Sequence, residues 1–144
     1  MWTCLPKIPY NAPMDKLREL IRNVLNHHPD VKLCIIFGSI AAGKESADSD
    51  LDIAVAAEQP LSADSCLELI EEFSAATNRE IDLVDLTTAT GPISRQALST
   101  GVVVQNVNKS LYARLISRML FNQADMMPYY DRILRERRKR FLNE

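Results

Sequence analysis

Phe37-Gly38-Ser39-Ile40-Ala41-Ala42-Gly43-Lys44-Glu45-Ser46-Ala47-Asp48-Ser49-Asp50-Leu51-Asp52 joins two short apolar runs, Val31–Phe37 before it and Leu51–Ala57 after it. Runs of this length, bounded by turn-forming residues, read as buried strands. Asp50 and Asp52 open the second strand two residues apart, so in an extended chain their side chains share a face, with Cα atoms ~6–7 Å apart. Two carboxylates that close repel each other. A hard divalent cation such as Mg²⁺ removes the repulsion and keeps coordination sites open for substrate phosphates. On the other side of the turn, Gly38 lets the backbone approach an anion. If Ser39 opens a short helix, its N–H groups and its hydroxyl add donors for a phosphate.

A third carboxylate would complete a two-metal site, with ions ~3.5–4 Å apart that stabilise both the attacking and the leaving oxygen. Glu80-Ile81-Asp82-Leu83-Val84-Asp85 alternates as a third strand and offers two candidates. Asp82 and Asp85 are three apart and point to opposite faces of a regular strand. Asp82, in mid-strand, is the first choice as metal ligand and base, and Asp85 the second.

Working outward, Pro13 stands where a helix can start, and Leu17, Leu20, Ile21, Val24 and Leu25 have helical spacing over residues 14–26. Pro60 and Ser62 announce a helix over 63–76 with Leu67, Ile70 and Phe73 on one face. Residues 92–99 fit a short helix, and Val102–Gln105 a short edge strand. From Lys109, Leu111, Leu115, Ile116, Met119 and Leu120 mark one helical face, and Pro128 separates this helix from a last one reaching Phe141. The order α-β-β-α-β-α-β-α-α predicts an α/β (α+β) fold, a small mixed sheet backed by helices. The expected organisation is one domain over 1–144, with 1–12 as an N-terminal arm and 109–144 as C-terminal helices.

The chain has 144 residues, a net charge of −2, 47% apolar and 25% charged residues. This is the balance of an ordinary folded domain and argues against a nucleic-acid coat or a membrane-surface protein, which would be basic. Basic residues are concentrated at Arg132, Arg135, Arg137, Arg138, Lys139 and Arg140. This cluster reads as a solvated face, with contact to an acidic partner as the sharper alternative. Cys4, Cys34 and Cys66 are scattered and odd in number, so neither a disulfide framework nor a zinc site is indicated. No signal peptide is expected from the N-terminal residues, no window approaches a ~20-residue apolar span, and a reducing cytoplasm is expected.

Other readings of the same residues fit less well. Gly38-x4-Gly43-Lys44 looks like a P-loop, but Glu45 occupies the place of the Mg²⁺-binding Ser or Thr, and no long helix follows. Asp48-x-Asp50-x-Asp52 looks like the start of a calcium loop, but Ile53 and Gln59 stand where Gly and Glu are required. His27 and His28 precede Pro29 and read as a surface turn. Solvated, roleless aspartates are the plainest alternative, yet Asp is depleted in strands.

Gly38-Ser39, ten intervening residues, then Asp50-Leu51-Asp52, with Asp82 on a later strand, resembles the signature of the DNA polymerase β-like nucleotidyltransferase superfamily. Within it the chain is most similar to minimal nucleotidyltransferases of the MntA antitoxin type, from HepT–MntA (HEPN/MNT) toxin–antitoxin systems. The similarity extends to the Arg-rich tail after Tyr129-Tyr130. The resemblance implies a polymerase β-type palm, Mg²⁺ on Asp50, Asp52 and Asp82, and a grip on the ATP triphosphate by Gly38 and Ser39. It further implies transfer of AMP from ATP to a tyrosine of a partner HEPN-family RNase toxin, in a hetero-oligomer. Lys44 and Glu45 have no role in that pattern. The competing expectations are a non-catalytic antitoxin that occludes its partner, or a transferase acting on a small molecule or an RNA end.

Overall fold

The computed structural model describes residues 14–41, 43 and 50–121. The expected N-terminal arm, Cys4, Lys44–Ser49, the helix expected after Pro128 and the Arg-rich tail lie outside the described residues. The described elements are α1 (Met14–Leu25), β1 (Val31–Phe37), β2 (Leu51–Ala57), α2 (Ala63–Thr77), β3 (Ile81–Asp85), α3 (Pro92–Thr100) and β4 (Val102–Asn106). Residues 109–121 then form a further helix, α4. The strands make one sheet in the order β3-β2-β1-β4. β1 is antiparallel to both β2 and β4, and β2 is parallel to β3 because α2 carries the chain back to the same end of the sheet.

Helices cover both faces, which is why β1 and β2 are nearly continuous apolar runs. On one face Leu17, Ile21 and Leu25 of α1 and Leu69 and Phe73 of α2 pack on Cys34, Ile36, Leu51, Ile53 and Val55. On the other, Ala97 and Leu98 of α3 and Leu111 and Leu115 of α4 pack on Leu33, Ile35, Phe37, Ala54 and Ala56. Two bulges break strict alternation. In β1, Val31 pairs with Ala57 and Leu33 with Ala56, so Lys32 is the extra residue, and Val31 joins the α1/α2 face with Cys34 and Ile36. In β4, Gln105 pairs with Cys34 and Val103 with Ile35, leaving Val104 extra; its carbonyl accepts from Arg22 Nε at 2.9 Å. That bond satisfies a carbonyl the ladder has released.

α2 has the phase of Leu69, Phe73 and Thr77, not that expected from Leu67: Leu67 is 57% exposed. Two residues are ~200° around a helix of 3.6 residues per turn, so once Leu69 faces the sheet Leu67 must face outward. Ser62 caps the helix, accepting the Ser65 amide at 3.1 Å, and Asn78 ends it in the left-handed region at φ 55°. Ser62→Ala should therefore cost about 1 kcal/mol of stability. Chemical denaturation measures it, and an unchanged midpoint would show that the cap contributes nothing. α4 buries Leu111 and Leu115 as expected, whereas Leu120 is 53% exposed. Cys34 is a core residue. Among the described residues no helix is long and apolar enough to cross a membrane.

Candidate active site

The end of β1 and the starts of β2 and β3 lie side by side, with Phe37, Asp52 and Asp82 as one row across the three strands. Asp52 and Asp82 are direct register partners of the parallel pair, so their side chains project on the same face, the one covered further along by α3 and α4. Asp52 is half-buried, while Asp50, just outside β2, and Asp82 are exposed. Burial pushes the Asp52 carboxyl above the ordinary aspartate range; the Asp82 charge, a hydrogen bond shared with Asp82, and the Asp50 charge push it in the same direction. Such crowding makes negative charge on Asp52 costly until something positive arrives.

Gly38 follows β1 at φ +80°, and its α-carbon lies against Asp52, so that an added methyl would overlap Asp52 Oδ2. The next residues do not open a helix. Ser39, Ile40 and Ala41 form a turn, closed by the Gly43 amide donating to Ile40 C=O at 3.1 Å. Positive φ at both Gly38 and Gly43, with Ile40 anchored in the α1/α2 core, bends the backbone out of helical geometry. What this segment can offer an anion is the turn's own amides and the half-buried Ser39 hydroxyl, not a helix end.

Asp85, the alternative third carboxylate, is engaged elsewhere. Its Oδ2 accepts the Leu61 amide and its Oδ1 the Thr87 amide, each at 2.9 Å, and the Thr87 hydroxyl also bonds Oδ1. It shapes the turn after β3 on the opposite side of the strand from Asp82. His28 bonds Glu72 through Nε2 and ties the α1–β1 turn to α2. The cleft lined by Lys32, Glu58, Leu61 and Ser62 lies at the other end of β1 and β2, away from the carboxylates.

Sequence reasoning missed one supporting residue. Arg118 of α4 donates to the carbonyls of Leu86, Thr87 and Ala89, at 2.5, 2.9 and 3.1 Å, and holds the loop that follows β3. An arginine in an otherwise apolar helical face was the available signal.

Among the described residues no three His, Cys, Asp or Glu side chains form a ready-made cation cage. Mg²⁺ commonly takes one or two carboxylates and completes its shell with water and substrate phosphates. A close pair, Asp52 with Asp82, and a third carboxylate at Asp50 suits an ion that arrives with a nucleotide.

Residues 19–110 match the family described as polymerase beta, nucleotidyltransferase. The protein adenylyltransferase MntA of Shewanella oneidensis is 32% identical over 90 residues, covering 61% of this chain and 65% of that protein. The chain thus matches just under two thirds of the length of this curated relative. A chain from a crystal structure of a toxin–antitoxin with AMP-PNP superposes with a TM-score of 0.65 at 26% identity, over 81% of this chain and 98% of that one. A chain from a tri-AMPylated Shewanella oneidensis HEPN toxin in complex with MNT antitoxin has the same fold, with a TM-score of 0.61 at 24% identity, over 85% and 99%.

Proposed function

The chain belongs to the polymerase beta nucleotidyltransferase family, and from that membership we propose that it is a cytoplasmic antitoxin of the protein-adenylyltransferase type, which transfers AMP from ATP to a tyrosine of a partner HEPN-family RNase toxin. The observation that carries the reading is the Asp52–Asp82 pair, in register on neighbouring strands and backed by a glycine turn. The chain's likeness to an adenylyltransferase and to a toxin–antitoxin chain crystallised with AMP-PNP supports the choice of ATP and of a protein acceptor. The HEPN toxin and the tyrosine follow from the sequence resemblance.

In this mechanism the Ser39 hydroxyl and the amides of the 38–41 turn hold the triphosphate, fixing the α-phosphorus over the carboxylate row. Asp50, Asp52 and Asp82 would hold two Mg²⁺ ions, which when bound lower the acceptor hydroxyl's pKa and offset charge on the leaving group. The tyrosine oxygen attacks the α-phosphorus in line, the bond to pyrophosphate breaks, and the phenolic proton passes to Asp82.

Co-expression with a HEPN-family toxin followed by mass spectrometry of that toxin tests the proposal. The expected result is a mass increase of one or more AMP groups on tyrosine, absent when the aspartates are replaced. A toxin that is inhibited yet unmodified would establish occlusion instead.

A further inference from the structure

β3 is an edge strand: among the described residues its outer side has no partner strand. The bonds to β2 fix which of its peptide groups face outward. The Leu51 amide donates to Glu80 C=O and the Leu86 amide to Val55 C=O, each at 2.8 Å. Along a strand, peptide groups face its two neighbours alternately. Asp82 and Val84 therefore belong with Glu80 and Leu86 and bond to β2. The N–H and C=O groups of Ile81 and Leu83 point away from β2. The Asp85 carbonyl, next in the outward set, is taken by the Thr88 and Ala89 amides at 3.2 and 2.9 Å.

β3 is short and carries two charges, Asp82 and Asp85, but other protections of an edge are lacking. Ile81–Asp85 holds no Lys and no Pro, and its pairing with β2 runs from Leu51↔Ile81 to Val55↔Asp85 without a bulge. The two outward residues flank Asp82, whose side chain stands beside Asp52.

We propose that this edge is the acceptor-docking site: an extended segment of the acceptor protein adds to β3, and its residue opposite Asp82 is the tyrosine that receives AMP. The inference rests on the adenylyltransferase reading and adds how the substrate is held. Added strands lie ~4.8 Å away, and directly opposed residues on one face have Cβ atoms ~5 Å apart. A tyrosine opposite Asp82 thus lies on the carboxylate side of the sheet, its ring standing off the sheet beside the Asp52–Asp82 row. Its two neighbours in the segment fall on the other face, beside Ile81 and Leu83, which pack against the α1/α2 core. The recognised chemistry is an extended apolar–Tyr–apolar segment, bound through its main chain, as in other strand-addition complexes.

The test uses the HEPN-family toxin co-expressed above, in the absence of ATP, and amide hydrogen exchange on the intact chain. In the free chain the Ile81 and Leu83 amides should exchange fast, and the toxin should slow them, while Asp82 and Val84 stay protected throughout. Leu83→Pro removes an outward N–H and no bond to β2. It should reduce transfer to the toxin about tenfold, the scale of one lost hydrogen bond, and leave transfer to N-acetyl-tyrosinamide, which cannot add a strand, unchanged. If the unaltered chain labels no toxin, the adenylyltransferase reading fails and takes this inference with it. If it labels the toxin but the two amides gain no protection, the reading stands and edge docking is wrong. Protection already present in the free chain would mean that the edge is covered by the chain itself or a second copy, which also overturns the inference. Should Leu83→Pro fail to fold, the exchange result on the unaltered chain decides alone.

Discussion

The Asp50→Asn, Asp52→Asn double variant is expected to lose AMP transfer by at least ~10³-fold, ~4 kcal/mol in the barrier, while keeping its fold. Asparagine matches aspartate in shape but has no charge to offer a cation. Neither side chain is part of the apolar core, so no cavity is made. Stability should move the opposite way from activity. Asp52 has its carboxyl pushed up by burial and by Asp82 and Asp50. A group whose folded pKa lies above its unfolded value takes up protons more readily when folded. Its penalty is therefore present in full at neutral pH and fades as the pH falls through the folded value. The neutral amide that Asp52→Asn introduces carries no such penalty. In EDTA the variant should melt no lower than the unaltered chain at pH 7. Adding Mg²⁺ with a non-hydrolysable ATP analogue should raise the melting temperature of the unaltered chain alone. Radiolabelled AMP appearing on the toxin at an undiminished rate would rule out the carboxylates as the reaction centre.

These carboxylates show where local pattern suffices and where it does not. Val31–Phe37 and Leu51–Ala57 are legible to the residue, because strands covered on both faces need a nearly continuous apolar run whatever their neighbours, interrupted here only by Lys32 and Asp52. The strand period also puts Asp82 and Asp85 on opposite faces, and the structure has Asp85 engaged by Leu61 and Thr87. That Asp82 stands beside Asp52 is a different kind of fact. It depends on the parallel pairing of β2 with β3, set by the path of α2 and by register, and no local pattern encodes a register between strands. The bulges at Lys32 and Val104 are illegible for the same reason: each exists only relative to a partner strand. Leu67 misleads because α2 carries apolar residues at Leu67, Leu69 and Ile70, and periodicity alone cannot choose among phases that the sheet surface decides. Ser39 reads locally as a conditional helix start, since nothing nearby in the sequence announces positive φ at both Gly38 and Gly43.

Gly38→Ala is the second variant with a large expected effect, and Gly43→Ala is its control. Both glycines have positive φ, +80° and +73°, where an L-residue costs roughly 1–2 kcal/mol. They differ in what a methyl group would meet. At Gly43 it meets nothing within 4 Å among the described residues. At Gly38 it overlaps the Asp52 carboxylate, so either the 38–41 turn or Asp52 must move. The backbone penalty alone should appear in both variants as a similar fall in stability, with a further loss at Gly38 as the crowded end of β1 and β2 adjusts. Transfer should separate them sharply. A displacement of ~1 Å in a positioned group can cost ~10²-fold in rate, and that loss is expected for Gly38→Ala with Gly43→Ala within about twofold of the unaltered chain. ATP affinity should weaken in parallel at Gly38, because the amides that would hold the triphosphate shift with the carboxylate. Denaturation midpoints, transfer rates and nucleotide titrations on the two variants make the comparison. Equal rates in the two would mean that the close approach of Gly38 to Asp52 serves the fold alone, and would move the phosphate grip elsewhere on the chain.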